Sequence, residues 1–558
     1  MRLFKKYHHL GSLALWLIFL FSSIVIFGSV LNNFFASDDW HWLSIARDTS
    51  FNWQIFLTNY EGHHQGGSYN PLLVLFFKLA YNLFHSNYFG YHLISIILHA
   101  TNGFLVYKLA SHLFELINFN NFKKLAILAG GLFLIYPIHV EVISWIAAWP
   151  HLWVTFFYLL ALINYLSFRK NYKFKKLIYS LVFFSLALLT KEIAISLPLL
   201  ILIWEIYFYS TKQKSAIKNY YYLPLRLRSG PTAAYFIILA LFLWLRYISI
   251  GLIFGYYASS SLSLAYLDWI ANLAVFGGDL LSFGFLRTII YKAVYHYQDS
   301  VVIIVLAALA IYFSFTLFKK KILQATGLIS LLFVIAPVLI TGLHRTSFGG
   351  ERYLYLASIF FVIWLIILLK AIRTNLTINR YALILIFILF LTINAHKLSI
   401  WQEASNLSRQ IVNSYQDLET TNNQKFLSVA LPDNLSGAEV FRNNLQQALE
   451  IYYPDNHPQI LPTLAYQEVN KQNKNTQLLK WRQDERGWLA ESIDGAFVVT
   501  GITSITMNNV YWELWNYNYQ NYKANTIRLI PDSDSLEKIK KDELGILIFD
   551  QGVLKILD

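Results

Sequence analysis

No cysteine occurs anywhere in the chain. That excludes a disulfide framework, a thiolate metal site and a thiol nucleophile, and it removes the usual clue to redox compartment. Charge is scarce as well. Of 558 residues only 14% are charged, whereas 56% are hydrophobic and 17% aromatic, with a mean hydropathy of +0.44. A water-soluble domain cannot hide that much apolar surface, but a polytopic membrane protein leaves it in lipid. Acids are fewer than bases, giving a net charge of +13. The bases cluster between apolar runs, which fits membrane topology and anionic lipid headgroups rather than nucleic acid. The N-terminal Met1–Lys6 precedes an apolar run from Leu13 to Leu31. That run is too long for a signal-peptide core and lacks a small-residue cleavage site, so it reads as an uncleaved anchor.

The apolar runs predict an α-helical polytopic membrane protein of about eleven spans. They lie at 13–31, 91–113, 125–141, 144–166, 175–190, 193–209, 232–250, 301–318, 322–341, 353–372 and 380–395. The positive-inside rule tests this map. Lys5 and Lys6, Lys123 and Lys124, the Arg169–Lys176 cluster, the Lys212–Arg228 loop, Lys319–Lys321 and the Arg373–Arg380 connection all fall on one side. The N-terminus is then cytoplasmic. Two stretches fit less simply. Pro71–Phe84 is short and carries Lys78, so it is expected to lie in the outer interface as an amphipathic helix. Tyr266–Tyr291 is interrupted by Gly277-Gly278 and is expected to be re-entrant or interfacial.

On this map the unusual polar residues collect on the outer face. The first outer loop, about residues 32–90, holds the adjacent pair Asp38-Asp39 together with Glu61, His63, His64 and Tyr69. Later turns hold His139 and Glu141, then Lys191-Glu192, then His344-Arg345 and Glu351-Arg352. Ionisable residues near a bilayer are expensive and mark sites or pathways. Any one of them could instead cap a helix or snorkel to headgroups. Their convergence on one leaflet favours a site.

Five segments carry a family resemblance: Asp38-Asp39, Ser68-Tyr-Asn-Pro-Leu72 with Phe89–Ala100, Tyr136–Trp145, Thr190–Pro198 and Gly350–Leu356. In order and placement they resemble the polyprenyl-phosphate-sugar-dependent glycosyltransferases of the C-type (GT-C) fold. The likeness is strongest to the transmembrane O-mannosyltransferases that carry tetratricopeptide repeats, and it covers roughly residues 1–395. The chain departs from that pattern at Asn70, where the family has arginine, at Tyr136 before Pro137, and at Trp149-Pro150. No repeat follows residue 395.

The resemblance implies transfer of a sugar from a polyprenyl-phosphate carrier to a protein or glycan acceptor, with inversion. A carboxylate opposite the leaving group serves as general base, so Asp38 or Asp39 is the expected base, with Asp39 preferred. Cations neutralise the phosphate as its bond to the sugar breaks. Arg352, Lys191 and Arg345 are the candidates, and a bidentate fork favours Arg352 over Lys191. Alternatively Arg352 pairs with Glu351 or a lipid headgroup. His139, Glu141, Glu192, Glu351 and Tyr69 are expected to orient the acceptor or the site. Carboxylates with imidazoles suit a divalent ion, but no metal or other cofactor is expected. His63-His64 reads as solvated surface.

The tail from about Trp401 is rich in Asn, Gln, Asp and Lys, with turns at Pro432, Pro454, Pro458 and Pro462. Phe426–Leu431 and Ile546–Phe549 read as strands and Ala438–Tyr453 as an amphipathic helix. This divides the chain into a membrane domain, 1–398, and a small extracytoplasmic α/β domain, 399–558. Such a tail resembles those of bacterial C-type enzymes, implying a bacterial plasma membrane. The aromatic run Val510–Tyr519 reads as domain core rather than a sugar platform. The sequons at Asn406 and Asn434 are chance-level. Two other functions fit the same chain, a lipid-linked glycan flippase and an inactive assembly protein that keeps the fold.

Overall fold

A computed structural model describes residues 11–63, 67–116, 119–210, 225–253, 266–283, 329–332, 334–336, 350–371, 376–418, 425–454, 457–461, 466–469, 479–493, 497–498, 504–507, 510–515, 523–540 and 544–557. Helix dominates up to residue 418 and strand dominates after it. Among the described residues six helical segments are long and apolar enough to cross a membrane: Ser12–Asn32, Tyr88–Leu116, Ile146–Asn171, Gly230–Ile250, Glu351–Leu369 and Leu383–Ser414. A seventh is counted if Phe122–Leu134 and Pro137–Ser144, bent by 45°, make one span. The chain is an integral, multi-pass membrane protein. The expected spans 301–318 and most of 322–341 lie outside the described residues, as does Arg345.

The bend has a local cause. Pro137 has no N–H to continue the helix ending at Leu134, and its fixed φ starts a new short turn instead. The chain therefore re-enters as a five-residue helix, Val140–Ser144, that faces the site with Glu141. Pro71–Phe84 forms a helix with those bounds, started by Pro71 at its first position. Gly277-Gly278, expected to interrupt its segment, lies inside a continuous helix, Tyr266–Ser282.

The longest helix, Leu376–Ser414, does not stop where apolar composition stops. The expected boundary at 398/399 falls inside it. Beyond residue 395 its buried positions Trp401, Ala404, Leu407, Ser408, Ile411 and Tyr415 repeat at helical spacing. That face straps the loop after the first helix, because Ser405 Oγ accepts the Phe34 N–H at 2.5 Å and Ser408 Oγ donates to the Phe35 carbonyl at 2.6 Å.

After the helix the described residues form three sheets: Val553–Ile556 (β14), Leu544–Asp550 (β13), Lys425–Val429 (β1) and Gln459–Leu461 (β4); Leu479–Asp484 (β6), Gly487–Ser492 (β7), Thr526–Pro531 (β12), Val510–Trp515 (β10) and Ser504–Met507 (β9); and Lys523–Ala524 (β11), Phe497–Val498 (β8), Tyr466–Val469 (β5), Leu431–Leu435 (β2) and Ala438–Glu439 (β3), each in spatial order. Strand β1, Lys425–Val429, pairs in parallel with β13, Leu544–Asp550, and with β4, Gln459–Leu461. At Ala430, φ 59°, the chain kinks and continues as β2, Leu431–Leu435, in a different sheet. The helix expected over Ala438–Tyr453 is shorter, Leu445–Tyr452, because Ala438–Glu439 instead pairs with β2 as β3. Val510–Trp515 is the strand β10 inside a five-stranded sheet.

The tail packs directly on the first loop. Tyr452 meets Phe34 and Trp40 edge-on, with ring centroids 5.3 and 5.8 Å apart. Phe35 packs against Trp40, Tyr88 and Tyr91 in the same cluster. Arg47 reaches Glu450 at 3.1 Å. The loop bearing Asp38 is thus clamped between the helix Leu376–Ser414 and the tail domain.

Candidate functional site

Asp38 and Asp39 open the helix Asp38–Asp48, where carboxylates complement the unpaired N–H groups and positive end of the helix. The two acids have different surroundings. Asp39 is buried, and both of its oxygens are occupied. Oδ2 accepts the Ala36 N–H at 2.9 Å, and Oδ1 accepts the Ala147 N–H at 2.6 Å. Burial, joined by the charges of Asp38 and Glu439, holds its carboxyl well above the ordinary range despite those two donors. Asp38 is half-buried, and its carboxylate makes no hydrogen bond among the described residues. Ser37, just before it, has φ 48°, a strained value for a residue with a side chain.

Asp39 ties the pair to the second half of the site. Trp145 donates its indole N–H to the Ala36 carbonyl at 3.2 Å, two residues before Ala147. The Arg352 guanidinium lies over the Trp145 ring, 4.7 Å from its centroid, and 4.9 Å from that of Tyr353. The partner of Arg352 is Glu141 and not Glu351: its guanidinium donates to Glu141 Oε1. Glu141 also accepts the backbone N–H of Gly350, at 3.0 and 3.1 Å, and of Arg352, at 3.0 Å. Those two N–H groups converge because Gly350 adopts φ 112°, which a side chain would resist. Glu141 therefore fills a backbone nest and fixes the arginine above it. Glu351 pairs elsewhere, with Lys397 at 2.6 and 2.8 Å.

Lys191 lies against the opposite neighbour of this group, 5.7 Å from the Tyr353 ring centroid. Its backbone N–H donates to the Ala187 carbonyl at 3.0 Å, but its ammonium makes no hydrogen bond or ion pair to a described residue. Its neighbour Glu192 is held by Arg246 at 2.5 Å. Arg246 is only 2% exposed, so Glu192→Gln strands a buried cation and is expected to cost about 2–3 kcal/mol. A thermal unfolding midpoint in detergent that matches wild type would refute this. Arg246 was not anticipated from the sequence. The signal was present, since on the topology expected from the sequence it is an arginine at the outer end of an apolar run, against the positive-inside pattern.

Two further expected site residues are enclosed by packing. His139 is fully buried, hydrogen-bonded through Nε2 to Ser358 Oγ at 2.8 Å and packed on Phe133 and Tyr355. Tyr69 is also buried, donating to the Phe56 carbonyl at 2.8 Å and packing against Phe242. Among the described residues no three His, Asp or Glu side chains are grouped so as to hold a metal ion. The tail adds Glu439, which lies within electrostatic reach of Arg352 and Asp38. Burial raises its carboxyl above the ordinary range. Asp38, Asp39, Arg352, Glu141, Lys191 and Glu439 thus form one connected neighbourhood.

No family model matches the chain. Curated relatives do. Over 141 residues, 25% of this chain and 15% of the relative, it is 33% identical to Protein O-mannosyl-transferase Tmtc1 of Drosophila melanogaster. The chain is similar in sequence to protein O-mannosyl-transferases. A Caenorhabditis elegans protein O-mannosyl-transferase, F38B6.6, is 32% identical over 173 residues, 29% of this chain and 24% of that one. Human Protein O-mannosyl-transferase TMTC1 is 28% identical over 211 residues, 34% of this chain and 23% of that one. These matches bear out the resemblance read from the motifs. They span no more than about a quarter of each relative's length. Among solved structures, an archaeal oligosaccharyltransferase from Archaeoglobus fulgidus, AglB, matches with a TM-score of 0.38 and 14% identity. That match covers 76% of this chain and 62% of AglB, and a likeness so slight carries no argument.

Proposed function

We propose that this protein is a membrane glycosyltransferase of the C-type fold. It moves a sugar, mannose by analogy with its relatives, from a polyprenyl-phosphate carrier to an acceptor hydroxyl on a protein or glycan. The reaction takes place at the extracytoplasmic face of a bacterial plasma membrane. The N-terminus is then cytoplasmic and the tail domain extracytoplasmic. One observation carries the reading: Asp38 offers a carboxylate with no side-chain hydrogen bond among the described residues, on a loop tied through Asp39 and Trp145 to Arg352, whose neighbour Tyr353 also packs on Lys191.

The chemistry follows from those positions. Polyprenyl phosphate is a built-in leaving group, so the protein must deprotonate the acceptor and meet the negative charge released on phosphate. Asp38 takes the acceptor proton as its oxygen attacks the anomeric carbon. Asp39 has both oxygens engaged and positions the loop. Among the described residues Lys191 offers an ammonium without an ion pair to meet phosphate, with Arg352, held by Glu141, as its preorganised partner. No metal is required by this scheme. Direct displacement inverts the anomeric centre.

The test is transfer by the purified protein in liposomes, from polyprenyl-phosphate-mannose to a serine- and threonine-bearing peptide. A mannosyl peptide of anomeric configuration opposite to the donor supports the proposal. Retained configuration, or no transfer by folded protein, overturns it.

A further inference from the structure

Glu439 stands at the end of a two-residue hairpin between β2 and β3, where Asn434 pairs with Glu439 and Leu435 with Ala438. The turn residues Ser436 and Gly437 both have positive φ, 49° and 95°, the conformation that matches the twist of so tight a connection. The hairpin is fixed on both sides. Arg442 grips Asp433 with two bonds, at 2.6 and 3.1 Å. The carbonyl of Val440, next to Glu439, accepts the N–H of Ser37, next to Asp38, at 2.8 Å. The tail domain is therefore stitched to the loop that carries the twin aspartates, one residue from each acid.

Glu439 itself is left unsatisfied. It is 8% exposed, and its Oε2 has no hydrogen-bond partner. It forms no ion pair with Arg442 or Arg352, although both lie within electrostatic reach together with Asp433 and Asp38. A buried carboxylate oxygen without a donor is costly, and a fold that keeps one rigidly in place has a donor arrive from elsewhere. The donor's phosphate does not supply it, because a phosphodiester has no N–H or O–H to give and is drawn to Lys191 and Arg352; the link from the hairpin to the Asp38 loop favours the acceptor over the sugar hydroxyls of the donor. The complementary chemistry is an N–H or O–H group.

We propose that Glu439 is an acceptor-positioning residue. Its free oxygen receives a hydrogen bond from an N–H or hydroxyl of the incoming polypeptide, holding the acceptor oxygen against Asp38. The inference rests on the transferase reading above and adds to it a role for the tail domain, which supplies the acceptor side of a site whose donor side belongs to the membrane helices.

The experiment uses the full chain in liposomes, polyprenyl-phosphate-mannose and a serine- and threonine-bearing peptide, with KM measured for each substrate. Glu439→Met keeps the volume and removes the acceptor oxygens, so it is expected to raise the peptide KM about tenfold, the scale of one lost hydrogen bond. Glu439→Gln keeps one acceptor oxygen and is expected to shift it less, while the donor KM stays unchanged in both. Equal losses for both substrates, or no change in peptide KM, overturn the proposal. If Glu439→Met does not fold, the peptide KM of Glu439→Gln decides alone. Asp433→Asn, which loosens the hairpin, reports what a merely structural defect looks like. An inert wild type overturns the transferase reading and this inference together. An active wild type with unaltered Glu439 variants overturns this inference only.

Discussion

Asp38→Asn is expected to lower kcat by about 10²–10⁴-fold, the usual contribution of a positioned general base, with little change in unfolding midpoint. Asp39→Asn is expected to do the reverse. Asp38 is half-buried and its carboxylate carries no hydrogen bond among the described residues, so an amide there costs the fold little. Asp39 accepts two backbone N–H groups, one on each oxygen. An asparagine has one carbonyl oxygen, so its amide must face the other donor. That leaves a buried N–H unpaired and costs about 1–3 kcal/mol. Transfer assays and thermal unfolding of both variants, in the same detergent, separate the two roles. Should Asp39→Asn abolish transfer while folding as wild type, the base is Asp39 and the preference drawn from the sequence stands.

Why the sequence could not tell the two acids apart is itself physical. Adjacent acids look equivalent in a string of letters. They differ only once Ala147, 108 residues downstream of Asp39, brings its N–H to one of them. Local features were legible: the helix from Pro71 and the apolar runs. Long-range pairings were not. Arg352 was expected to face phosphate or Glu351, yet the nest at Gly350 and Arg352 closes on Glu141, more than two hundred residues away in sequence. The helix Leu376–Ser414 was cut short because composition turns polar near 395, although its buried face keeps its period to Tyr415. Period was the better signal there, and composition the louder one. Glu439 left no trace, since a lone acid in a polar tail becomes noteworthy only when a hairpin delivers it beside Asp38.

Breaking the Glu141–Arg352 unit is expected to have the second largest effect, and a double variant can say why. Glu141→Gln removes the charge under a guanidinium that is itself largely withdrawn from water, and it mismatches the two converging backbone N–H groups. Stability should fall by about 3 kcal/mol, the scale for removing one partner of a buried pair. Transfer should fall as well, by about 10²-fold, if Arg352 must be preorganised for phosphate. Arg352→Gln alone should cost the same transfer, leaving Glu141 charged but still held by backbone. In Glu141→Gln with Arg352→Gln, the stranded cation is gone, so part of the lost stability returns. Transfer does not return, because no fixed cation remains beside Tyr353 except Lys191. A purely structural ion pair predicts the other pattern, with activity recovering alongside the unfolding midpoint. Measuring both quantities across the four proteins therefore decides whether this arginine is held in place for the fold or for the phosphate.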